Sequence, residues 1–136
     1  MADPEHPTAA GEVDKPAMTV GGRRMVDIAV DAVSVCRRTV LVGPTRTGVP
    51  EHVVQTRESP AGGGPVAALA AGLRSLDDCA DSERTADLVV VVASDLPFLD
   101  AAAVELLIGS ISQSQTEAVF ARDSAGRTQF LLGIWR

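Results

Sequence analysis

In the stretch LVVVVASDLPFL, Asp95 follows the branched apolar run Leu88 to Val92 and stands directly before Leu96-Pro97. Runs of this kind build strands buried on both faces, and such a ladder has no need of a carboxylate just past its end. There Asp95 could serve Mg2+, a hard cation that takes one or two protein carboxylates and completes its shell with phosphate and water. The local alternative is an acid ahead of proline that accepts a backbone N–H and closes a turn. A second candidate is SPAGGGPVAALAAG, where Gly62, Gly63 and Gly64 let the backbone approach a ligand closely and Pro65 opens a helix whose first amides face outward. The same residues would also serve as a flexible connector and a helix start. No Lys-Ser or Lys-Thr follows them, so this is not a Walker A loop. The third is Lys15, between Asp14 and Pro16. Its ammonium on a long stem could reach a phosphate, or could simply be solvated at the surface.

Alternating elements must position these groups. Met25, Ile28, Ala29, Ala32, Val33 and Cys36 recur at three- and four-residue steps, which predicts an amphipathic helix after the Gly21-Gly22 turn. RTVLVG reads as a short buried strand ending at Gly43, and EHVVQT as a weaker one. The small-residue stretch VAALAAGLRSL continues the helix that Pro65 opens, and the run at Leu88–Val92 is the next strand. Asp100 is placed to cap a helix from Ala101 to about Ile111. EAVFARDSAGRTQFLLGIWR then reads as two strands joined by a glycine-containing turn. Alternation of strand and helix predicts a doubly wound α/β sheet, mostly parallel, with an antiparallel element at the C-terminus. Ligands of such sheets bind beyond the carboxyl ends of the strands, where Asp95 and the glycine run stand. Residues 1–12, MADPEHPTAAGE, lack periodicity and are expected to be flexible, leaving 13–136 as the folded domain.

Composition removes several function classes. Acidic residues outnumber basic ones 18 to 12, for a net charge of −6, which argues against general affinity for nucleic acid. Aromatic residues make up 3% and tyrosine is absent, so a base-stacking platform is not expected. Cys36 and Cys79 form no CxxC pair and the chain has 2 histidines, which disfavours zinc; two isolated thiols point to a reducing compartment, the cytoplasm. Apolar runs fall well short of the roughly 18 residues that cross a bilayer, so no membrane partner is expected.

In order and spacing, VDKPAMTVGGRRMVDIAVDAV, GGGPVAALAAGL, VVVASDLPFL and the trailing TQFLLGIWR resemble the molybdenum cofactor guanylyltransferases, the MobA-like nucleotidyltransferases. The resemblance spans about Gly11 to Arg136. It implies a Rossmann-like three-layer α/β/α domain that transfers GMP from GTP to molybdopterin with release of pyrophosphate. Asp95 would bind Mg2+, Lys15 would contact the nucleotide phosphates, and Gly63, Gly64 and Pro65 would border the nucleotide. Cytidylyl transfer, guanylyl transfer to another phosphorylated acceptor, and a catalytically silent domain that binds nucleotide or a protein partner are the alternatives. In such proteins a buried strand and a glycine-rich loop precede the Asp-Lys pair. Here MADPEHPTAAG stands there instead, so the domain is expected to be incomplete and its activity low.

Overall fold

The computed structural model describes residues 13–78 and 86–136; the expected flexible segment 1–12 and Cys79 lie outside them. The described chain begins with a single 3-10 turn, Lys15–Ala17, followed by the short strands β1 (Thr19–Val20) and β2 (Arg23–Arg24). These pair antiparallel around Gly21 and Gly22, whose φ values of +60° and +80° are the left-handed pair that a tight two-residue hairpin requires. The expected turn before the first helix is therefore a hairpin.

Helix α1 (Met25–Ala32) follows, with Met25, Val26, Ala29 and Ala32 buried along one face. It ends before Val33 and Cys36, which the periodicity had assigned to it. At Val33 the backbone leaves the helical region, and the amide of Ser34 bonds back three residues to the carbonyl of Asp31. Val33, Ser34 and Val35 are modest helix formers, and serine competes for backbone hydrogen bonds in non-helical turns, so propensity offers little to carry the helix past Ala32.

Strands β3 (Thr39–Val42) and β4 (Val53–Thr56) pair in parallel, with Thr39 opposite Val53 and Val42 opposite Thr56. Helix α2 (Gly64–Asp78) packs on both. Its contact with β3 is close at Gly72, where a Cβ would stand 3.2 Å from a methyl of Val42. The alanine-rich face seen in the sequence thus brings helix and strand together at short range.

The rest of the chain forms β5 (Val89–Val92), α3 (Ala101–Ser112), β6 (Ala118–Arg122) and β7 (Thr128–Trp135). Strand β7 lies between β5 and β6 and is antiparallel to each. Strands β5 and β6 consequently run in the same direction, and β5–α3–β6 is a crossover unit whose two strands are separated by β7. The sequence led to the expectation of a mostly parallel sheet. Among the described residues β3–β4 is the parallel pairing, and the other pairings are antiparallel. The architecture is mixed α/β. The C-terminal strand sits inside its sheet because the hairpin from β6 returns it between the strands of the crossover.

Two apolar clusters join these elements. Ala32 and Val33 meet Leu99 and Val104, with Val90, Val92, Leu96 and Leu132 packed around them. Leu107 and Ile111 of α3 meet Ile134 of β7, with Leu88 and Val119 beside them. On the opposite face Phe120 stands edge-on to both Phe130 and Trp135, with centroids 5.4 and 4.9 Å apart. A Cβ at Gly133 would lie 2.8 Å from the Phe120 ring, so that position accepts no side chain while the ring is there.

Helix α3 begins as the sequence anticipates. Asp100 is extended, and its carboxylate accepts the amide of Ala103 at 2.9 Å, satisfying one of the unpaired donors of the first turn. Asp100→Ala is expected to cost about 1 kcal/mol, read in urea denaturation as a lower midpoint with an unchanged slope.

Candidate functional site

Asp95 is carried beyond the carboxyl end of β5 in a turn that leads to α3. Ala93 still bonds to β7, its amide donating to the Leu131 carbonyl at 2.7 Å; after it the chain leaves the sheet. Leu99, buried in the core, and the Asp100 cap fix the far end of this turn. Asp95, a half-buried residue, is thus held from both sides, while its carboxylate has no hydrogen bond or ion pair among the described residues. The local reading, in which Asp95 closes the turn by accepting a backbone amide, has no such bond behind it. Next to Asp95, a shallow apolar cleft of about 270 Å³ is lined by Leu96, Pro97, Phe98, Leu99, Ala103 and Leu132.

The glycine-rich segment follows the carboxyl end of β4. Its conformation is set from within: the carboxylate of Glu58 accepts the amide of Gly62 at 3.0 Å, and the Pro60 carbonyl accepts the amide of Gly63 at 3.0 Å. Glu58 is held below the usual carboxylate range, first by that Gly62 amide. Gly62 and Gly64 have φ near +75° and +82°. At Gly63 a Cβ would come within 2.8 Å of the Ala67 side chain and 2.9 Å of the Pro60 carbonyl, so a larger residue there would displace the helix start. Gly63, Gly64 and Pro65 are all exposed, at the open N-terminus of α2.

Lys15 is exposed in the 3-10 turn, and its ammonium has no hydrogen bond or ion pair among the described residues. Its neighbour behaves differently. Asp14 accepts both arms of the Arg46 guanidinium, Nη1 to Oδ2 at 2.9 Å and Nη2 to Oδ1 at 2.7 Å. Arg46 lies in the loop after β3, and its own backbone is gripped by Gln55 of β4. The Arg46 amide donates to Oε1 at 2.8 Å, and Nε2 donates to the Arg46 carbonyl at 3.1 Å. Arg24 reinforces the same loop, donating Nη1 to the Thr47 carbonyl at 2.9 Å while Nε and Nη2 hold the Asp27 carboxylate. The Lys15 turn and the glycine-rich segment are therefore both attached to the carboxyl edge of the β3–β4 pair.

No hydrogen bond or ion pair among the described residues joins Lys15, Asp95 and Gly63–Pro65 to one another. Asp95 lies beyond the end of β5, Gly64 and Pro65 begin α2, and Lys15 begins the 3-10 turn; the Asp95 carboxylate and the Lys15 ammonium have no partner among the described residues, whereas the Gly63 amide is bonded to the Pro60 carbonyl. Sequence reading missed Arg46, Gln55 and Arg24. Nothing in a single sequence marks the pairing of Asp14 with Arg46 across 32 positions.

A metal of the kind Asp95 would serve needs little from the protein. The described residues contain no group of three or more metal-ligating side chains. A single unpartnered carboxylate at a strand end nevertheless fits Mg2+, which can take its other ligands from phosphate and water. Among the described residues no helix is long and apolar enough to cross a membrane.

The Arg46 guanidinium holds Asp14 below its ordinary pKa, chiefly through the side-chain hydrogen bonds. A depressed carboxylate stabilises the fold above its unfolded pKa, about 3.9, and loses that contribution as pH falls through the folded value. Compared with Asp14→Asn, the parent protein should melt higher at pH 6. That advantage should shrink below about pH 4 and vanish at lower pH, as followed by thermal melts across the series.

Comparison with known proteins gives one family-level finding. The family model described as MobA-like NTP transferase domain matches residues 8–136. No curated protein matches the chain.

Proposed function

The chain belongs to the MobA-like NTP transferase domain family, and from that premise we propose that it transfers GMP from GTP to molybdopterin, releasing pyrophosphate. A nucleotidyltransferase-type function with a nucleoside triphosphate substrate follows from the family; the base, the acceptor and a cytoplasmic setting are our reading. So are a Rossmann-like three-layer arrangement of the mixed α/β fold and the roles of the individual residues. The observation that carries the proposal is Asp95, a half-buried residue beyond a strand end whose carboxylate makes no bond among the described residues.

Nucleotidyl transfer breaks the bond between the α- and β-phosphates as an acceptor oxygen attacks the α-phosphorus. Negative charge grows on the α-phosphate oxygens and on the departing pyrophosphate, and fixed positive charge or aimed donors lower that barrier. In this reading Lys15 supplies a cation to the phosphate chain. The exposed backbone of Gly63 and Gly64, with the outward amides of α2, borders the nucleotide. Pro65 has no N–H and sits in the first turn without wasting a donor. Asp95 would hold Mg2+, which when bound supplies Lewis-acid stabilisation of the phosphoryl oxygens. The apolar cleft beside Asp95 gives an acceptor ring a surface free of competing charge.

The decisive experiment follows pyrophosphate release by the purified protein with Mg2+, molybdopterin and each of GTP, CTP and ATP. Release with GTP and molybdopterin together, and not with either alone, is the expected result. Turnover with CTP would transfer the reading to cytidylyl chemistry. Nucleotide binding without release under every condition would replace the enzyme with a silent binding domain.

Two substitutions test the assigned roles. Asp95→Asn keeps the shape but loses the charge that Mg2+ requires, so Mg2+-dependent GTP affinity should fall about tenfold, roughly 1.4 kcal/mol. Stability should move by less than about 0.5 kcal/mol, because Asp95 has no partner to lose among the described residues. Calorimetric titration alongside a denaturation curve separates the two effects. Lys15→Ala should weaken GTP about tenfold, in line with a charge-assisted bond of about 1.5–3 kcal/mol, and leave guanosine affinity unchanged. Equal loss for both ligands would remove Lys15 from the phosphate site.

A further inference from the structure

We infer that Arg46, gripped by Gln55, is a positioning residue that fixes the Lys15 backbone on the β3–β4 pair. The inference rests on the proposed function in one respect, that the ammonium meets a phosphate chain. The geometry behind it does not depend on that reading.

Lysine is a poor choice for precise placement. Its ammonium is a point charge on a flexible stem, so its reach is defined only as well as its Cα is held. Lys15 begins an isolated 3-10 turn with no buried residue, outside the larger sheets. Apolar packing within the turn therefore does little to hold it. Polar contacts close it instead. The Lys15 amide donates to the Val13 carbonyl at 2.8 Å, Ala17 to the Asp14 carbonyl at 3.0 Å, and Met18 to the Lys15 carbonyl at 3.0 Å. The Met18 carbonyl accepts from Met25 at 2.9 Å, which ties the far side to α1.

The near side is held by the two-armed bond from Arg46 to Asp14. Such a fork fixes distance and orientation together, which a lysine in place of Arg46 could not do. The Arg46 side chain is 11% exposed and that of Asp14 54%, so the anchor end is the buried one. Gln55 then extends the chain of contacts into the sheet. By bonding both the amide and the carbonyl of Arg46 it does what a neighbouring strand would do, at a point where the chain has left the ladder. A continuous path of contacts thus runs from Gln55 of β4 through Arg46 to Asp14, the residue before Lys15.

The pairing also separates two charges by task. The charge of Arg46 is matched by Asp14, whereas the Lys15 ammonium has no acidic partner among the described residues. One cation anchors and the other remains available to an anion.

The sequence makes a clean test possible, since of 12 basic residues Lys15 is the single lysine. Protein labelled with 15N-lysine shows one backbone amide signal, from Lys15. Its order parameter in the parent should be near 0.85 and should fall below about 0.6 in Arg46→Lys. The charge-reversed pair, Asp14→Arg with Arg46→Asp, should recover part of the loss. Arg127→Ala, which breaks the Asp123 ion pair on the β6–β7 turn, should leave the signal unchanged. Should Arg46→Lys fail to fold, Asp14→Asn, with a mostly exposed side chain, gives the same reading. In parallel, Mg2+-tripolyphosphate is titrated into parent, Arg46→Lys, Lys15→Ala and the double variant. Arg46→Lys should weaken binding about as much as Lys15→Ala, with little further loss when the two are combined. A rigid Lys15 amide in folded Arg46→Lys, or in Asp14→Asn, would overturn the inference. If the amide loosens but tripolyphosphate binds no variant and not the parent, the positioning role stands and the nucleotide reading falls.

Discussion

Strand β7 is the member on which the larger sheet depends. Among the described residues it alone bonds to both β5 and β6, and Ile134 near its end is fully buried against Leu107 and Ile111 of α3. Much of what places Asp95 passes through that arrangement, with Leu99 packed on Ala32 and Val33 as a second support. β5 is held on one edge by β7, the Asp95 turn leaves β5, and α3 receives the turn and packs back on β6 and β7. A loss of volume at Ile134 would leave a cavity beneath both helix and strand, with a cost of several kcal/mol expected for a large aliphatic removed from a core. The chemistry proposed for Asp95 thus relies on an apolar contact that touches no ligand.

The smaller β3–β4 sheet is organised on another principle. Its cover, α2, is rich in alanine and glycine, and Ala71 is the buried residue of that helix. Close approach takes the place of bulk, as at Gly72 against Val42. At its carboxyl edge polar groups take over. Arg46, Gln55 and Arg24 hold the loop after β3, and Glu58 holds the turn after β4. A net charge of −6 leaves acid in excess, and Arg46 and Arg24 at this edge are matched locally by Asp14 and Asp27. The Lys15 ammonium has no acidic partner among the described residues, and neither has the guanidinium of Arg57, directly after β4.

How much was legible in the sequence follows the range of the forces involved. The β5 run, the Asp100 cap, the Gly21-Gly22 turn and the start of α2 at Gly64-Pro65 are dictated by neighbours a few residues away, and they were readable. The insertion of β7 between β5 and β6 was not, because strand order is decided by which apolar faces meet across α3, and residue pattern is silent on that. Helix α1 was read too long since Val33 and Cys36 continue its spacing. They do pack against the same cluster, from a turn rather than from the helix. At the candidate site, Asp95, Lys15 and the glycines were singled out by residue type and place, and their roles are a proposal. Arg46 and Gln55 were not, for their partnership crosses loops and leaves no periodic trace.

The aromatic triad on the outer face of β6 and β7 has an optical consequence. Trp135 is the single tryptophan and tyrosine is absent, so the near-ultraviolet emission of this protein comes from one indole. That indole stands edge-on to Phe120, on a strand residue paired with Val89 on one side and Ala118 on the other. Its colour and intensity therefore register whether three strands are together, and they are blind in the first instance to the β3–β4 edge where Lys15 is anchored. A chain in which one half opens while the other stays closed would look folded to fluorescence and unfolded to a probe at Lys15. The built-in chromophore makes the two halves of this fold separately visible.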